Sequence, residues 1–171
     1  MDTHSTTIMA VYGALVSTFA VVWNVLRDRR DSARIKLTAM LGYAIPSKTG
    51  TQLISHKFFI QKWPEKVGDF NLGLFLTITN VGRRPVIVEG WAIGTDRKKT
   101  GNDNFIYQLT VLPKKLDEAQ YAVEHTDDLS LIADGAKRIY VWDTAGRQWS
   151  LLGRELRRLR KEVRGLRIET Q

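Results

Sequence analysis

The chain has no cysteine and only three histidines in its 171 residues. The absence of cysteine excludes disulfides, thiolate zinc sites and cysteine nucleophiles, and it fits a reducing compartment such as the cytoplasm. His4, His56 and His125 are isolated, and none has a second histidine or a carboxylate at the spacing of a helical metal site in a suitable context. The sequence therefore predicts neither a metal centre nor another cofactor.

Motifs of common catalytic folds are also missing. There is no G-x-x-x-x-G-K-[ST] phosphate loop and no G-x-S-x-G nucleophile elbow. The segment Asp143-Thr144-Ala145-Gly146 matches a tetrapeptide of small GTPases and approximates the Asp-Thr-Gly of aspartic proteases. The missing phosphate loop rules out the first, and Ala145 stands where the second needs glycine. We interpret the segment as a turn, and we expect a protein that is not an enzyme.

Charge is absent from the run Thr6–Leu26, which is 21 residues long. A helix of this length measures about 31 Å, enough to cross the hydrocarbon core of a bilayer. We therefore predict a membrane anchor in residues 1–26, the alternative being a buried helix of a soluble protein. Small residues spaced four apart predict a face where two such helices could pack in lipid. These residues are Ala10, Gly13, Ala14 and Ser17.

The basic residues beside this run predict its direction. None of the 26 lysines and arginines precedes Leu26, whereas Arg27, Arg29 and Arg30 follow it at once. Basic residues stay on the cytoplasmic side of a spanning helix, so the N-terminus should lie outside and the rest of the chain inside. A secretory signal would need its basic residues before the apolar run. We expect residues 27–33 to be a basic juxtamembrane linker.

Alternation of apolar and polar residues dominates residues 34–152. One face of the first segment collects Ile35, Leu37, Ala39, Leu41, Tyr43 and Ile45. In 85–95, Val86, Val88 and Gly90 alternate with Ile87, Trp91 and Ile93. About seven short strands separated by turns predict a mainly β domain, an antiparallel β-sandwich, with a helical turn near Thr126–Ile132. The strands are expected at 34–45, 52–60, 70–79, 85–95, 105–112, 137–143 and 148–152.

Two passages carry a family resemblance. The strand-turn-strand from Leu76 to Val86, which contains Thr79-Asn80-Val81-Gly82-Arg83-Arg84-Pro85-Val86, and the later turn Asp143–Arg147 resemble small uncharacterised bacterial and phage proteins. The resemblance implies one N-terminal membrane helix before an immunoglobulin-like sandwich, and hence the bacterial inner membrane. It implies no activity and no catalytic residues. Independently of it, we expect Asn80 and Gly82 to accommodate positive φ in a tight connection.

The C-terminal segment 153–171 predicts a basic amphipathic helix. Its apolar seam has the spacing four, three, four, three: Leu152, Leu156, Leu159, Val163 and Leu166. The seam could join protomers in a coiled coil, lie on the inner leaflet, or pack on its own sandwich. The remaining face could contact phosphate or lipid through Arg154, Arg157, Arg158, Arg160, Lys161 and Arg164.

These observations favour two functions. The first is a membrane-tethered, non-catalytic module that binds a protein partner or a second copy of itself at the inner face of the membrane. The second is a phage or host-defence effector that acts through oligomerised membrane helices. The net charge of +8 would attract the domain to anionic lipid headgroups. A nucleic-acid partner is not expected, because no aromatic and basic stacking platform is predicted.

Overall fold

The structure is a computed structural model that describes residues 3–47, 50–64, 66, 70–107, 109–151 and 153–169. Side chains are described in these ranges except at 3–8, 10, 29–31, 50, 99, 134 and 167–169. The helices in the described residues are α1 (Thr3–Asp31), α2 (His56–Lys62), α3 (Arg97–Thr100), α4 (Ser130–Asp134) and α5 (Gly153–Glu169). The strands are β1 (Ile35–Ser47), β2 (Gly50–Ser55), β3 (Leu72–Asn80), β4 (Val86–Gly94), β5 (Asn104–Ile106), β6 (Lys114–Leu116), β7 (Tyr121–Thr126), β8 (Arg138–Asp143) and β9 (Gln148–Ser150).

Helix α1 covers the whole uncharged run and continues to Asp31, so most of the predicted linker is helical. Every residue from Val11 to Asp28 is exposed, because no other element in the described part of the chain covers this stretch. The large apolar side chains of this stretch, counted from Met9, are 49% to 76% exposed. Of the helices in the part of the chain that the structure describes, none is long and apolar enough to cross a membrane.

The rest of the chain is mainly β and forms two antiparallel sheets. One has the strand order β2-β1-β3-β7, and the other has the order β5-β4-β8-β9 with β6 also paired to β4. β1 and β3 form the longest ladder, from Ile35 opposite Asn80 to Tyr43 opposite Leu72. Two antiparallel sheets are as predicted, although the described residues contain nine strands rather than about seven.

A single core lies between the sheets and is consistent with a β-sandwich. It joins the inner face of β1, with Ile35, Leu37 and Leu41, to residues of the other sheet such as Val88 and Ile139. The predicted alternation of β1 is thus confirmed. In β4 the prediction was wrong after Val88, because a bulge between Val88 and Gly90 shifts the register. An added residue reverses the faces that follow, so Trp91 and Ile93 are buried on the same side as Val88.

Two strand predictions fail in part, and one strand of the structure was not predicted. The expected strand 52–60 ends at Ser55, and residues from His56 form α2, in which Phe59 is buried and Phe58 is half exposed. Of the described residues in the expected strand 105–112, only Phe105 and Ile106 lie in a strand, at the end of β5, and β6 begins beyond it at Lys114. β7 was not predicted, because its buried positions include Glu124 and Thr126. Polar residues that face the core hide the alternation on which strand prediction depends.

Helix α5 packs on its own sandwich, which is the third of the alternatives above. Leu156, Leu159 and Val163 are buried members of the central core, and Leu166 packs against it. Leu152 lies outside the described residues. The seam therefore cannot also join two protomers in a coiled coil or lie on lipid, since its side chains already contact the sheets.

Candidate functional site

The base of α1 is built from two segments that are distant in sequence. The turn between β3 and β4, residues 81–85, lies against the connection from α1 to β1. The backbone amides of Val81 and Gly82 donate to the carbonyl oxygen of Arg34 at 2.8 and 3.3 Å. A Cβ atom at Gly82 would lie 2.3 Å from the Ser32 carbonyl oxygen, so only glycine permits this approach. We call residues 81–85 the basal turn.

Asn80 holds the basal turn from inside the fold. Its buried amide nitrogen donates to the carbonyl oxygens of Arg84 and Leu116 at 2.9 and 3.0 Å. Its Oδ1 accepts a hydrogen bond from the Gly82 amide at 3.0 Å. The expectation of positive φ was wrong, because positive φ occurs in the described residues only at Gly101, Ala119 and Gly146. The side-chain hydrogen bonds explain why residue 80 is an asparagine, and the close approach of residue 82 to the Ser32 carbonyl explains why it is a glycine.

Several arginines gather at this base. The guanidinium of Arg84 forms an ion pair of 2.9 Å with Asp28 of α1, and both side chains are largely exposed. Arg27, Arg34 and Arg83 are also exposed, and Val81 is 54% exposed beside them. Arg29 and Arg30, predicted to orient the anchor, have side chains outside the described set. The sequence therefore predicted Arg27 as a member of this basic surface, and the fold adds Arg83 and Arg84 from the basal turn.

Five of the six predicted contact residues of α5 are exposed on its outer side. Of the six, Arg160 is partly buried, and the Arg164 Nε donates to the Ala133 carbonyl oxygen at 3.1 Å. The Arg158 Nε lies 3.8 Å from Glu162. The exposed members form a basic ridge along the helix: Arg154, Arg157, Arg158, Lys161 and Arg164.

An open groove of about 640 Å³ lies between α2 and α5. Glu162 crosses it and pairs with Lys57 of α2 at 3.0 Å. At its edge the Tyr43 hydroxyl and His56 Nδ1 are 3.1 Å apart, and burial raises the pKa of Tyr43. Sequence reasoning missed the groove, because the residues of α2 were assigned to a strand. Its lining is His56, Lys57, Ile60, Arg158, Lys161, Glu162, Gly165 and Leu166.

Two buried carboxylates stabilise loops. Glu124 accepts the backbone amides of Thr110, Val111 and Leu112 at 2.8 to 2.9 Å, although it lies on a strand that was not predicted. Asp143 accepts two backbone amides and pairs with the Arg147 guanidinium at 2.7 Å. The turn interpretation of 143–146 is thus confirmed.

The small-residue face of α1 is exposed at three of its four predicted positions. Gly13, Ala14 and Ser17 are exposed, and nothing lies within 4 Å of a Cβ placed at Gly13. Ala10 has its side chain outside the described set. Across the described residues, no three histidine, aspartate or glutamate side chains form a group that could hold a metal ion.

Comparisons with known proteins add little to this geometry. No family model matches the chain, and no curated protein matches it. An X-ray structure of a Northeast Structural Genomics Consortium target matches 71% of this chain and 82% of its own length. The identity is 10% and the TM-score is 0.27, too low to support an argument about fold or function. The resemblance to bacterial and phage membrane proteins stays a prediction.

Proposed function

We propose that this protein is a membrane-tethered, non-catalytic interaction module, with α1 in the inner membrane of a bacterium and the β domain at its cytoplasmic face. The exposure of α1 is the observation that carries the proposal. Its large apolar side chains remain in contact with water, while the core of the chain lies elsewhere. Full burial of a fully exposed side chain of this kind gains about 1.5 to 3 kcal/mol, and these side chains are half to three quarters exposed, so a covering environment is favoured.

Lipid is the covering environment that fits the shape of this surface. At 100° per residue, the exposed apolar side chains occupy about two thirds of the circumference of α1. A single docked helix would cover a stripe of roughly 100°. The uncharged run Thr6–Leu26 begins among residues whose side chains are outside the described set, and as a helix its full length suffices to span the hydrocarbon core. Arg27 and the basic residues after it give the direction.

The strand order also supports an immunoglobulin-like sandwich. Strands β1, β3 and β7 are neighbours in one sheet, and β4, β8 and β9 are neighbours in the other. This order corresponds to strands A, B, E and C, F, G of immunoglobulin domains, with β2, β5 and β6 as additions.

The absence of cysteine makes the topology directly testable. In intact cells, a membrane-impermeant maleimide should label a Ser5→Cys variant but not a Thr144→Cys variant, and both should be labelled after lysis. Val16→Arg should move the protein from the carbonate-resistant membrane fraction to the soluble fraction, because a central charge costs about 3 kcal/mol in a spanning helix. Thr38→Arg on the exposed side of β1 is the control. Complete release of the wild type by carbonate would contradict the proposal.

The open surface at Gly13 favours one alternative, an effector whose membrane helices associate. Nothing in the described residues occupies this side of α1, and small residues there permit close helix contact. Expression would then depolarise the cell, and Gly13→Leu would abolish the effect while leaving membrane insertion intact. An unchanged membrane potential on expression of the wild type would exclude this alternative.

A further inference from the structure

We propose that the basal turn is a second membrane-contact element, in which Arg83 and Arg84 bind the phosphate groups of anionic lipid headgroups beside α1. The inference rests on the proposed function, since it requires α1 to span the bilayer. It assigns a role to arginines that lie far from the anchor in sequence.

The position of the turn is fixed by contacts to backbone. The amides of Val81 and Gly82 bind the Arg34 carbonyl oxygen, and Gly82 fits against Ser32 with no space for a side chain. The buried Asn80 side chain bonds the same turn twice, to the Arg84 carbonyl oxygen and the Gly82 amide, and a third hydrogen bond joins it to Leu116 of β6. These contacts hold the turn at the base of the helix.

Depth along the helix places the arginines in the headgroup layer. Arg84 pairs with Asp28 at 2.9 Å, and Asp28 follows Leu26, the last residue of the uncharged run, by two positions. Two residues correspond to about 3 Å of helix. The polar layer of a bilayer extends about 5 to 7 Å beyond the hydrocarbon core on each side. The Arg84 guanidinium consequently lies at the depth of the phosphates.

The chemistry of the turn matches this layer. An arginine fork has five N–H donors and binds phosphate in a bidentate manner, so Arg84 can contact a phosphate while it keeps Asp28. Arg83 and Arg84 stand beside Val81, whose exposed apolar side chain fits the boundary between headgroups and acyl chains. Arg27 and Arg34 add positive charge at the same level, so the surface is complementary to an anionic leaflet.

The chain contains a matched control at the other end of β4. The connection from Gly94 to Asn104 carries Arg97 and Lys98, which are exposed and basic like the arginines of the basal turn. The nine residues of β4 separate the two ends by about 27 Å. A membrane that contacts the basal turn should therefore leave this connection in water.

The experiment uses the full chain in vesicles of phosphatidylcholine with about 30 mol% phosphatidylglycerol. Single-cysteine variants Val81→Cys and Asn102→Cys carry an environment-sensitive fluorophore, and a small fraction of the lipid carries a nitroxide on its headgroup. We expect about threefold stronger quenching at position 81 than at position 102, increasing with phosphatidylglycerol. Combining Val81→Cys with Arg83→Gln and Arg84→Gln should lower its quenching about twofold in anionic vesicles, whereas adding Arg97→Gln and Lys98→Gln should leave it unchanged.

The outcomes separate this inference from the proposed function. Equal quenching at positions 81 and 102, in protein that floats with the vesicles, overturns the inference and leaves the tether intact. Strong quenching at 81 that responds neither to phosphatidylglycerol nor to the arginine substitutions also overturns it, because the turn would then be near lipid without binding headgroups. Protein that fails to float with either type of vesicle contradicts the proposed function itself. Circular dichroism of each variant in detergent checks that the sheets are retained.

Discussion

Replacement of Leu159 by alanine tests whether α5 belongs to its own sandwich. Leu159 is 2% exposed and contacts the core shared by both sheets. Leucine-to-alanine changes at such positions cost about 3 kcal/mol, of which part is lost transfer free energy and part is the cavity that remains. For a domain of this size, each kcal/mol lowers Tm by about 3 to 4 °C. The expected loss for Leu159→Ala is therefore about 10 °C.

The assay is thermal unfolding of the full chain in detergent, followed by near-ultraviolet circular dichroism of the tryptophans. Arg157→Ala is the matched control, because Arg157 is exposed on the outer side of the same helix. Its Tm should change by less than 2 °C, as surface substitutions usually cost under about 0.5 kcal/mol. The two variants thus compare opposite faces of one helix.

Dilution distinguishes the intramolecular packing from an intermolecular helix pair. If α5 packs on its own domain, Tm should not depend on protein concentration for either the wild type or Leu159→Ala. A coiled coil would lose stability on dilution by mass action. The reasoning would be refuted by a Tm that falls steadily with dilution, or by a loss for Leu159→Ala no larger than that for Arg157→Ala.

Three further predictions concern the loops and the core. Gly82→Ala should lower the free energy of unfolding by about 2 kcal/mol in a denaturant titration, because its Cβ would overlap the Ser32 carbonyl, whereas Gly153→Ala, with open space around it, should be near neutral. Glu124→Gln should cost about 3 kcal/mol, since an amide NH₂ would face backbone donors, and a loss equal to that of the exposed Glu118→Gln would contradict the role of the carboxylate. Burial, with the charge of Asp128, raises the pKa of Tyr107 to about 12 from 10.0. Stability should therefore be intact below pH 10 and fall as the pH rises towards 12; alkaline unfolding should show a smaller loss for Tyr107→Phe, and an unchanged loss would refute the assignment.

The pattern of apolar and polar residues was sufficient to predict an element wherever the environment of each side chain depended on its neighbours along the chain. The uncharged run predicted α1, and alternation predicted the buried face of β1. The same reasoning failed at β7, where Glu124 faces inwards because loop amides satisfy its carboxylate. Those amides belong to the loop residues 110–112, and the sequence of β7 does not indicate that this loop lies beside it. It also failed at α2, where Phe59 is buried by its contact with Tyr43.

The candidate site likewise contains residues that could be predicted from the sequence and residues that could not. Arg27 could be predicted as part of a basic base for α1, since it follows the apolar run directly. Arg84 could not, because its partner Asp28 is 56 residues away along the chain and only the sheet brings them together. The spacing of apolar residues predicted the seam of α5. The same spacing fits packing on a partner helix, a lipid surface or a β-sandwich equally well.

The sequence by itself determined the uncharged run that forms most of α1, the β character of the domain and the amphipathic nature of α5, because each depends on side chains that are close together along the chain. The tertiary structure alone decided which surface α5 covers, that Gly82 and Asn80 hold a turn against the base of α1, and that Arg83 and Arg84 join that base. These features depend on contacts between segments distant along the chain. Such contacts form only when burial of one shared core fixes the sheets in register.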